Sequence, residues 1–583
     1  MTLERAAAIE SGALRALGVR WGSGAVLVAA AAVTLAAVVL LLASIAVVAF
    51  REAEGATSSG FTLKNFINIY SDTFAYKSFA NTLGFAVTTV VTALLIGIPM
   101  AWLAVRTNLP GRGAIFPIMT LGLVVPTFFT AMGWMFLFHP RMGMVNRWVV
   151  NALSLDHSPF NIATVWGMGW VQGLSLAALA FVMMAGSFQA MDPSIEESAQ
   201  IHGIGLFDRL RKVTFPVLWP TILAAGIYVF TLALGAFDVP AIIGLGNRVY
   251  TFSTFVFTEA QPEDVLPNYG IIGAASAFMV AIALPLTAWY LRVIRQADRY
   301  AVVTGRNYRP EPVDLGKWWI AGWAFVALVT MLTLLLPVLM LVWAAFTPYF
   351  QPFSWQALEN VTLQNFRQVA WGGFWFAARN TLILVLTVPT ITAVLSLAIS
   401  WVVVRSGHRL APAFDILAFL PHVVPNIVFA VGAIIVALFW IRNILPIYGT
   451  IFILLGTYVA TRVSFATRVY NGALVQLHRE LDEAGYVFGL GSLGVVWYLI
   501  CPLLMPTILY SWLWMALLTY RELTMAALLA TAHNVTLPVF IFGVWRNESL
   551  NQAAAVSLVL VLMISPLVIL YFVFGRKRVA WSQ

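Results

Sequence analysis

Thirty consecutive residues without a charge, between Arg20 and Arg51, constrain this chain more than any other feature. At about 1.5 Å per helical residue, Ala25–Phe50 alone exceeds a bilayer core of about 30 Å. The run is too long for a signal-peptide core and lacks a small-residue cleavage site, so it reads as a retained span. Comparable runs follow along the whole chain. Charged residues make up 10% of the sequence and hydrophobic ones 61%, against roughly 25% and 45–50% in average soluble domains. A chain of 583 residues this poor in charge lacks the polar surface of a soluble protein. The single cysteine, Cys501, excludes a disulfide framework and cysteine metal sites.

Cut at charged or Pro/Gly-rich stretches, the apolar runs predict an all-α membrane protein of about twelve spans. The first six lie near 25–50, 79–105, 114–138, 162–187, 216–237 and 270–291. The second six lie near 318–346, 380–404, 412–440, 447–470, 502–530 and 552–574. The net charge of +9 would suit nucleic acid or basic loops on the inner face of a membrane. Its distribution selects the loops. With the N-terminus inside, inner segments collect Arg106, Arg112, Arg209, Arg211, Lys212, Arg292, Arg295, Arg405, Arg409 and Arg576–Arg578, among others. Their Lys and Arg outnumber those of the outer segments about two to one, which places both termini in the cytoplasm.

The chain also repeats itself. Thr62-Leu63-Lys64-Asn65-Phe66 returns as Thr362-Leu363-Gln364-Asn365-Phe366, 300 residues on. Val124-Val125-Pro126 returns as Val423-Val424-Pro425, 299 on, and Pro220-Thr221-Ile222-Leu223 as Pro506-Thr507-Ile508-Leu509, 286 on. The slip is explained by a longer polar outer stretch around His139–Asn161. Six spans per repeat is an even number, so both halves enter the membrane in the same direction, with the route for a solute between them. The basic stretch Arg292–Lys317, with Pro310 and Pro312, is the natural linker. The expected organisation is an N-terminal cytoplasmic segment 1–24, a first repeat 25–295, a linker 296–317 and a second repeat 318–583.

The strongest functional signal lies between the fourth and fifth spans of each repeat. The first copy reads Glu197-Ser198-Ala199-Gln200-Ile201-His202-Gly203, nine residues, then Val213-Thr214-Phe215-Pro216. The second reads Glu483-Ala484-Gly485-Tyr486-Val487-Phe488-Gly489, nine residues, then Leu499-Ile500-Cys501-Pro502. Local chemistry predicts a short helix, a turn and a second short helix. Asp192 accepts at the N-cap and Pro193 fits the first turn, where no donor is needed. Glu196 and Glu197 favour a helix N-terminus, and Gly203 and Gly205, like Gly489 and Gly491, allow the left-handed turn that ends one. Pro216 and Pro502 would then open the next span.

With these two loops the chain resembles the permeases of binding-protein-dependent ABC importers. Their signature is Glu-Ala-Ala, three residues, Gly, nine residues, an apolar triplet and Pro. Glu483-Ala484-Gly485 is close to it, and Glu197-Ser198-Ala199 departs at one small-residue position. The resemblance covers nearly the whole chain and implies a type I importer permease fold of two fused repeats in the cell's inner membrane. It further implies that Glu196, Glu197, Ala199, Gly203, Pro216, Asp482, Glu483, Ala484, Gly489 and Pro502 form coupling loops. Two copies of a cytoplasmic ATPase would dock there and bind ATP and Mg, and an extracytoplasmic binding protein would deliver substrate. The chain itself has no glycine-rich phosphate loop with a Lys, so it is expected to hold no cofactor and to be a transport subunit, not an enzyme.

Polar residues inside spans are costly and mark function by default. Arg462 in the tenth span and Arg521-Glu522 in the eleventh are the candidates for the substrate path, while the matching first-repeat positions are Leu176, Gly235 and Ala236. Adjacent on a helix, Arg521 and Glu522 would point about 100° apart and need not pair with each other. Asp238 and Glu259, with Glu263 and Asp264, read as solvated charges of an outer loop. His139, His422 and His533 have no metal-ligand spacing, so no metal site is expected. Tyr458-Val459, Arg462, Arg521-Glu522-Leu523 and Leu537-Pro538 are most similar to ferric-iron permeases, which implies ferric iron or a ferric–anion complex. Thiamine and phosphonate permeases share much of this arrangement, so those or another small solute stay open. An ion-coupled secondary transporter would need more carboxylates in its spans, and would leave the paired loops unexplained.

The charge bias makes a direct prediction about sidedness. In a Cys501→Ser background, a cysteine at Ser492 is expected to react with impermeant reagents only from the cytoplasm, and one at Ser549 only from outside. Reversed labelling would overturn the placement of the loops.

Overall fold

The computed structural model describes residues 3–51, 60–262, 267–297, 312–547 and 549–581. Most of the expected linker, and Glu263 and Asp264, lie outside those residues. Among the described residues the chain is helical throughout, with only two isolated β-bridges. In hydrocarbon a helix satisfies its own backbone, which is why the apolar runs take this form. The first helix runs from Leu3 to Ala49, so no break separates the described part of the N-terminal segment from the first span.

Among the described residues nine helices are long and apolar enough to cross a membrane, and two bent pairs raise the number of spans to eleven. Twelve spans were expected. The remaining one corresponds to Ile451–Val475, whose 25 residues would cross a bilayer but include Arg462 and Arg468. The third and ninth spans are not straight. Arg112–Val124 and Thr127–Phe138 meet at 90°, and Ala411–Val423 and Asn426–Trp440 at 105°. Both bends fall at the repeated Val-Pro. Proline has no N–H and disfavours helical geometry in the residue before it, and Val125 and Val424 are extended with ψ of 125° and 132°.

The eleventh span also differs from expectation. It runs Ser492–Tyr520 and stops, rather than continuing to 530. Arg521–Leu523 form a break before the short helix Thr524–Leu529. Nor do Pro216 and Pro502 open their spans. The helices begin upstream, at Leu206 and Ser492, and pass through one π turn each, Leu210–Thr214 and Val496–Ile500. The wider turn accommodates a proline that cannot donate.

The sequence repeats have physical causes. Asn65 donates to the carbonyls of Ala49 and Arg51 at 3.0 and 2.6 Å, closing the end of the first span. Asn365 does the same for the seventh, to Ala345 and Thr347 at 2.9 and 2.6 Å. Phe66 packs on Phe50 beside the first contact, and Phe366 on Phe346 beside the second. A third correspondence escaped the sequence reading. Asn81 and Thr82 hold Tyr250 and Phe252 through backbone hydrogen bonds, and Asn380 and Thr381 hold Val535 and Leu537.

The two halves interlock. The first span packs on the sixth and also on the eighth and ninth, while the seventh packs on the twelfth and on the second limb of the third. Each half therefore lends its first helix to the other, around a common core holding Phe128, Phe129, Trp134 and Ile427. The described end of the linker is fastened to the first half: Val313 donates to the Arg106 carbonyl at 2.8 Å and accepts from Asn108 at 3.0 Å.

Removing either asparagine should weaken the fold without touching the cavity. Asn65→Leu removes the side-chain donor shared by the Ala49 and Arg51 carbonyls, whereas Asn365→Leu removes it from Ala345 while Thr347 keeps Asn551 at 3.0 Å; each lost closure costs about 1–3 kcal/mol. Denaturant titration of the purified protein in detergent should show a loss at both positions, the larger one for Asn65→Leu.

Candidate functional site

Two features stand out, a pair of loops at one end of the bundle and a cavity between the halves. In the first loop Asp192 caps the helix Pro193–Ile201 through Ser194 N–H at 2.9 Å. Gly203 turns the chain at φ 75°, and Gly205 starts the next helix. In the second, the helix Glu480–Val487 is followed by Gly489 at φ 79° and Gly491. Both are the helix–turn–helix expected from the spacing.

The acidic residues do not act alike. Glu196 is buried: Arg106, at the end of the second span, pairs with one carboxylate oxygen, and the Thr214 hydroxyl donates to the other at 2.6 Å. Its counterpart Asp482 is buried against Arg405, at the end of the eighth span, with 3.5 Å between Nε and Oδ2. Burial pushes the Asp482 carboxyl above the ordinary carboxylate range, and Arg405 opposes that shift. Glu197 is half-buried, Ala199 buried, and Glu483 and Ala484 exposed. What protrudes is apolar: Ile201 is 84% exposed, and Val487 and Phe488 are 85% and 86%. The sequence reading, drawn to charge, passed over these three. Ser492 is buried at the foot of the second loop, so the exposed Ser198 is the better inner labelling position.

A cavity of about 1200 Å³ lies between the halves. It reaches from Gly113 and Gln189, near the first loop, to a polar end formed by Arg462, Arg521, Glu522 and Asp238. Arg462 and Glu522 meet: Nη2 to Oε2 is 2.5 Å, with a second contact from Nη2 to the Leu518 carbonyl at 3.3 Å. Glu522 also accepts from Met525 N–H at 3.2 Å, which the break after Tyr520 makes available. Arg521 points away from its neighbour and donates to the carbonyl of Leu123, beside the bend of the third span.

The opposite half makes the reciprocal contact with a glycine. Gly235, the counterpart of Arg521, lies against Pro425 at the other bend, and a Cβ there would come within 2.8 Å of the proline ring. Asp238 corrects the sequence reading. It is not a solvated outer charge but a cavity-lining carboxylate that accepts from Thr127 and, at 3.4 Å, from Thr524. Its alignment with Thr524, two residues after Glu522, was the available signal. Gln172 and Tyr458, again repeat-related, are buried with an unpaired amide oxygen and an unpaired hydroxyl, and Gln172 lines the cavity. Among the described residues no three His, Cys, Asp or Glu side chains are grouped to hold a metal.

Residues 93–300 match the family described as binding-protein-dependent transport system inner membrane component. The chain is 23% identical over 494 residues to a ferric transport system permease protein of Actinobacillus pleuropneumoniae, covering 81% of this chain and 67% of that one. It is 24% identical over 499 residues to a probable ABC transporter permease protein of Sinorhizobium fredii, covering 83% and 84%. A trehalose/maltose transport system permease protein of Thermococcus litoralis is 28% identical over 250 residues, 40% of this chain and 79% of that one.

The Arg462–Glu522 pair should behave as a unit in stability. Arg462→Met or Glu522→Gln alone leaves a buried partner uncompensated, at a cost of about 3–5 kcal/mol. The double variant should recover most of that loss in denaturant titration, and additive losses would contradict the pairing.

Proposed function

We propose that this chain, a permease subunit of the binding-protein-dependent importer family and a multi-pass inner-membrane protein, forms the whole translocation path of an importer for ferric iron, carried as a complex with an anion. The observation that carries this reading is one central cavity flanked by two repeat-related helix–turn–helix loops with apolar tips. Two copies of a cytoplasmic ATPase dock there, one per loop. Ile201 enters one copy, and Val487 with Phe488 the other. Burying such side chains is worth about 1.5–3 kcal/mol each, enough to hold a partner whose contact repeats twice. The ATPases bind ATP and Mg, and the family is one of transport subunits, so this chain is not an enzyme. Both termini lie in the cytoplasm, the repeats are 25–295 and 318–583, and the binding protein delivers substrate at the opposite face.

Ferric iron is supported by the names of the relatives and limited by the chemistry of the cavity. A bare ferric ion, hard and highly charged, requires several oxygen ligands. The two carboxylates at the polar end already accept hydrogen bonds, and two arginines stand beside them. A complex in which an anion clothes the metal presents oxygens to Arg462 and Arg521 and a reduced charge to the cavity.

Proteoliposomes holding the permease, its ATPase and its binding protein test both parts. ATP-dependent uptake of radiolabelled ferric citrate is expected, with none of thiamine or a phosphonate. Uptake without ATP would point to an ion-coupled carrier, and uptake of thiamine or a phosphonate to another substrate. Ile201→Glu with Val487→Glu should abolish copurification of the ATPase while the permease still inserts. Unchanged capture would remove the loops from the interface.

A further inference from the structure

We propose that Arg106–Glu196 and Arg405–Asp482 are the joints through which the two coupling loops move the spans around the cavity, with Glu196 and Asp482 as positioning residues instead of docking residues. The inference rests on reading the loops as the ATPase-binding elements. The same arrangement occurs twice. In each half a buried carboxylate on the loop helix meets an arginine that ends a long span, Thr73–Arg106 in one case and Trp371–Val404 followed by Arg405 in the other. Burial keeps both carboxylates from a partner's surface, whereas Ile201 and Val487 on the same helices face outward.

An ion pair that only closed a loop would have no reason to reach further, and both of these do. Glu196 takes its second hydrogen bond from Thr214, so one carboxylate joins the end of the second span, the loop helix and the root of the fifth span. Arg405 donates to the carbonyls of Leu474 and Leu477 at 2.9 and 2.7 Å, at the end of the tenth span. That span carries Arg462, whose partner Glu522 lines the polar end of the cavity. In the first half the second span packs along the fourth, which lines the cavity through Gln172 and Leu176. The first loop is thus joined by a charged, hydrogen-bonded contact, and the second by an ion pair whose arginine is itself hydrogen-bonded to the tenth span, to a helix pair that reaches the cavity wall. Separating such a contact away from water would leave both charged groups uncompensated, so a displaced loop carries the span with it.

The joints differ in detail. Ile500 stands where the first half has Thr214, so Asp482 lacks the link to its fifth-span counterpart, and Arg405 is tied to the tenth span instead. The first loop therefore pulls on the fifth span and the second on the tenth, and the two halves need not respond equally to ATP.

The test uses the permease assembled with its ATPase and ferric-citrate-loaded binding protein. Glu196→Gln and Asp482→Asn keep shape and remove charge. Each should lower binding-protein-stimulated ATP hydrolysis and uptake by about tenfold, a coupling loss of ordinary size for linked sites. Basal hydrolysis and ATPase copurification should stay at wild-type level. Arg106→Lys, which keeps the charge, should retain part of the stimulation. If Glu196→Gln does not accumulate, Asp482→Asn, at the looser joint, carries the measurement. Wild-type stimulation in the neutral variants would overturn the proposal, as would loss of ATPase capture, since the carboxylates would then belong to the docking surface. Failure of the docking reading is seen separately, as unchanged ATPase capture in the Ile201→Glu, Val487→Glu variant.

Discussion

In hydrocarbon every backbone N–H and C=O needs a partner within the protein, and this structure is organised around the few places where a helix cannot supply one. The third and ninth spans break at Val125-Pro126 and Val424-Pro425, and the fifth and eleventh end at Gly235 and Arg521. All four breaks come together between the halves and border the cavity. There the opened ends are met by protein: the Leu123 carbonyl by Arg521, and the N–H of Met525 by Glu522. A cavity at membrane depth exists because broken backbone is tolerated only where protein or an enclosed space surrounds it.

The framework around those breaks is symmetric and the polar lining is not. Asn65 with Asn365, Asn81-Thr82 with Asn380-Thr381, and Arg106–Glu196 with Arg405–Asp482 make matching contacts, because helix ends and loop roots need the same closure in both halves. The cavity positions Leu176, Gly235, Ala236 and Asp238 correspond to Arg462, Arg521, Glu522 and Thr524 in the other repeat. Three of the four charges thus come from the second half. Fusing the halves in one chain permits this, since each position varies without being copied into its counterpart.

Charge pairing also limits what the cavity does. The carboxylates of Glu522 and Asp238 already have partners, in Arg462 and Met525 for one and two hydroxyl donors for the other, while Arg462 keeps a buried Nε without one. A buried pair of this kind adds little to stability over apolar packing, while a lone buried charge costs several kcal/mol. With its carboxylates occupied, such a lining offers a solute few free acceptors. That suits a path, where a solute must leave as readily as it enters.

The sequence by itself determined the membrane class, the helical spans, the internal repeat and the two loops. These follow from local rules, the length of apolar runs, the turn chemistry of Gly and Pro, and the spacing that recurs between halves. Even the bends were present as a repeated Val-Val-Pro, although apolarity alone drew each as a straight span. Tertiary structure alone decided which polar residues meet. Arg462 and Glu522 are sixty residues apart, and Arg521 reaches Leu123 across the repeat boundary. Glu196 read as a coupling-loop charge at a helix N-terminus and is buried against Arg106, while Asp238 read as solvated and lines the cavity. Hydropathy and spacing measure what a residue prefers along the chain. Whether a charge is buried, paired or exposed depends on which distant helix lies beside it, and that is settled only when the two halves interlock.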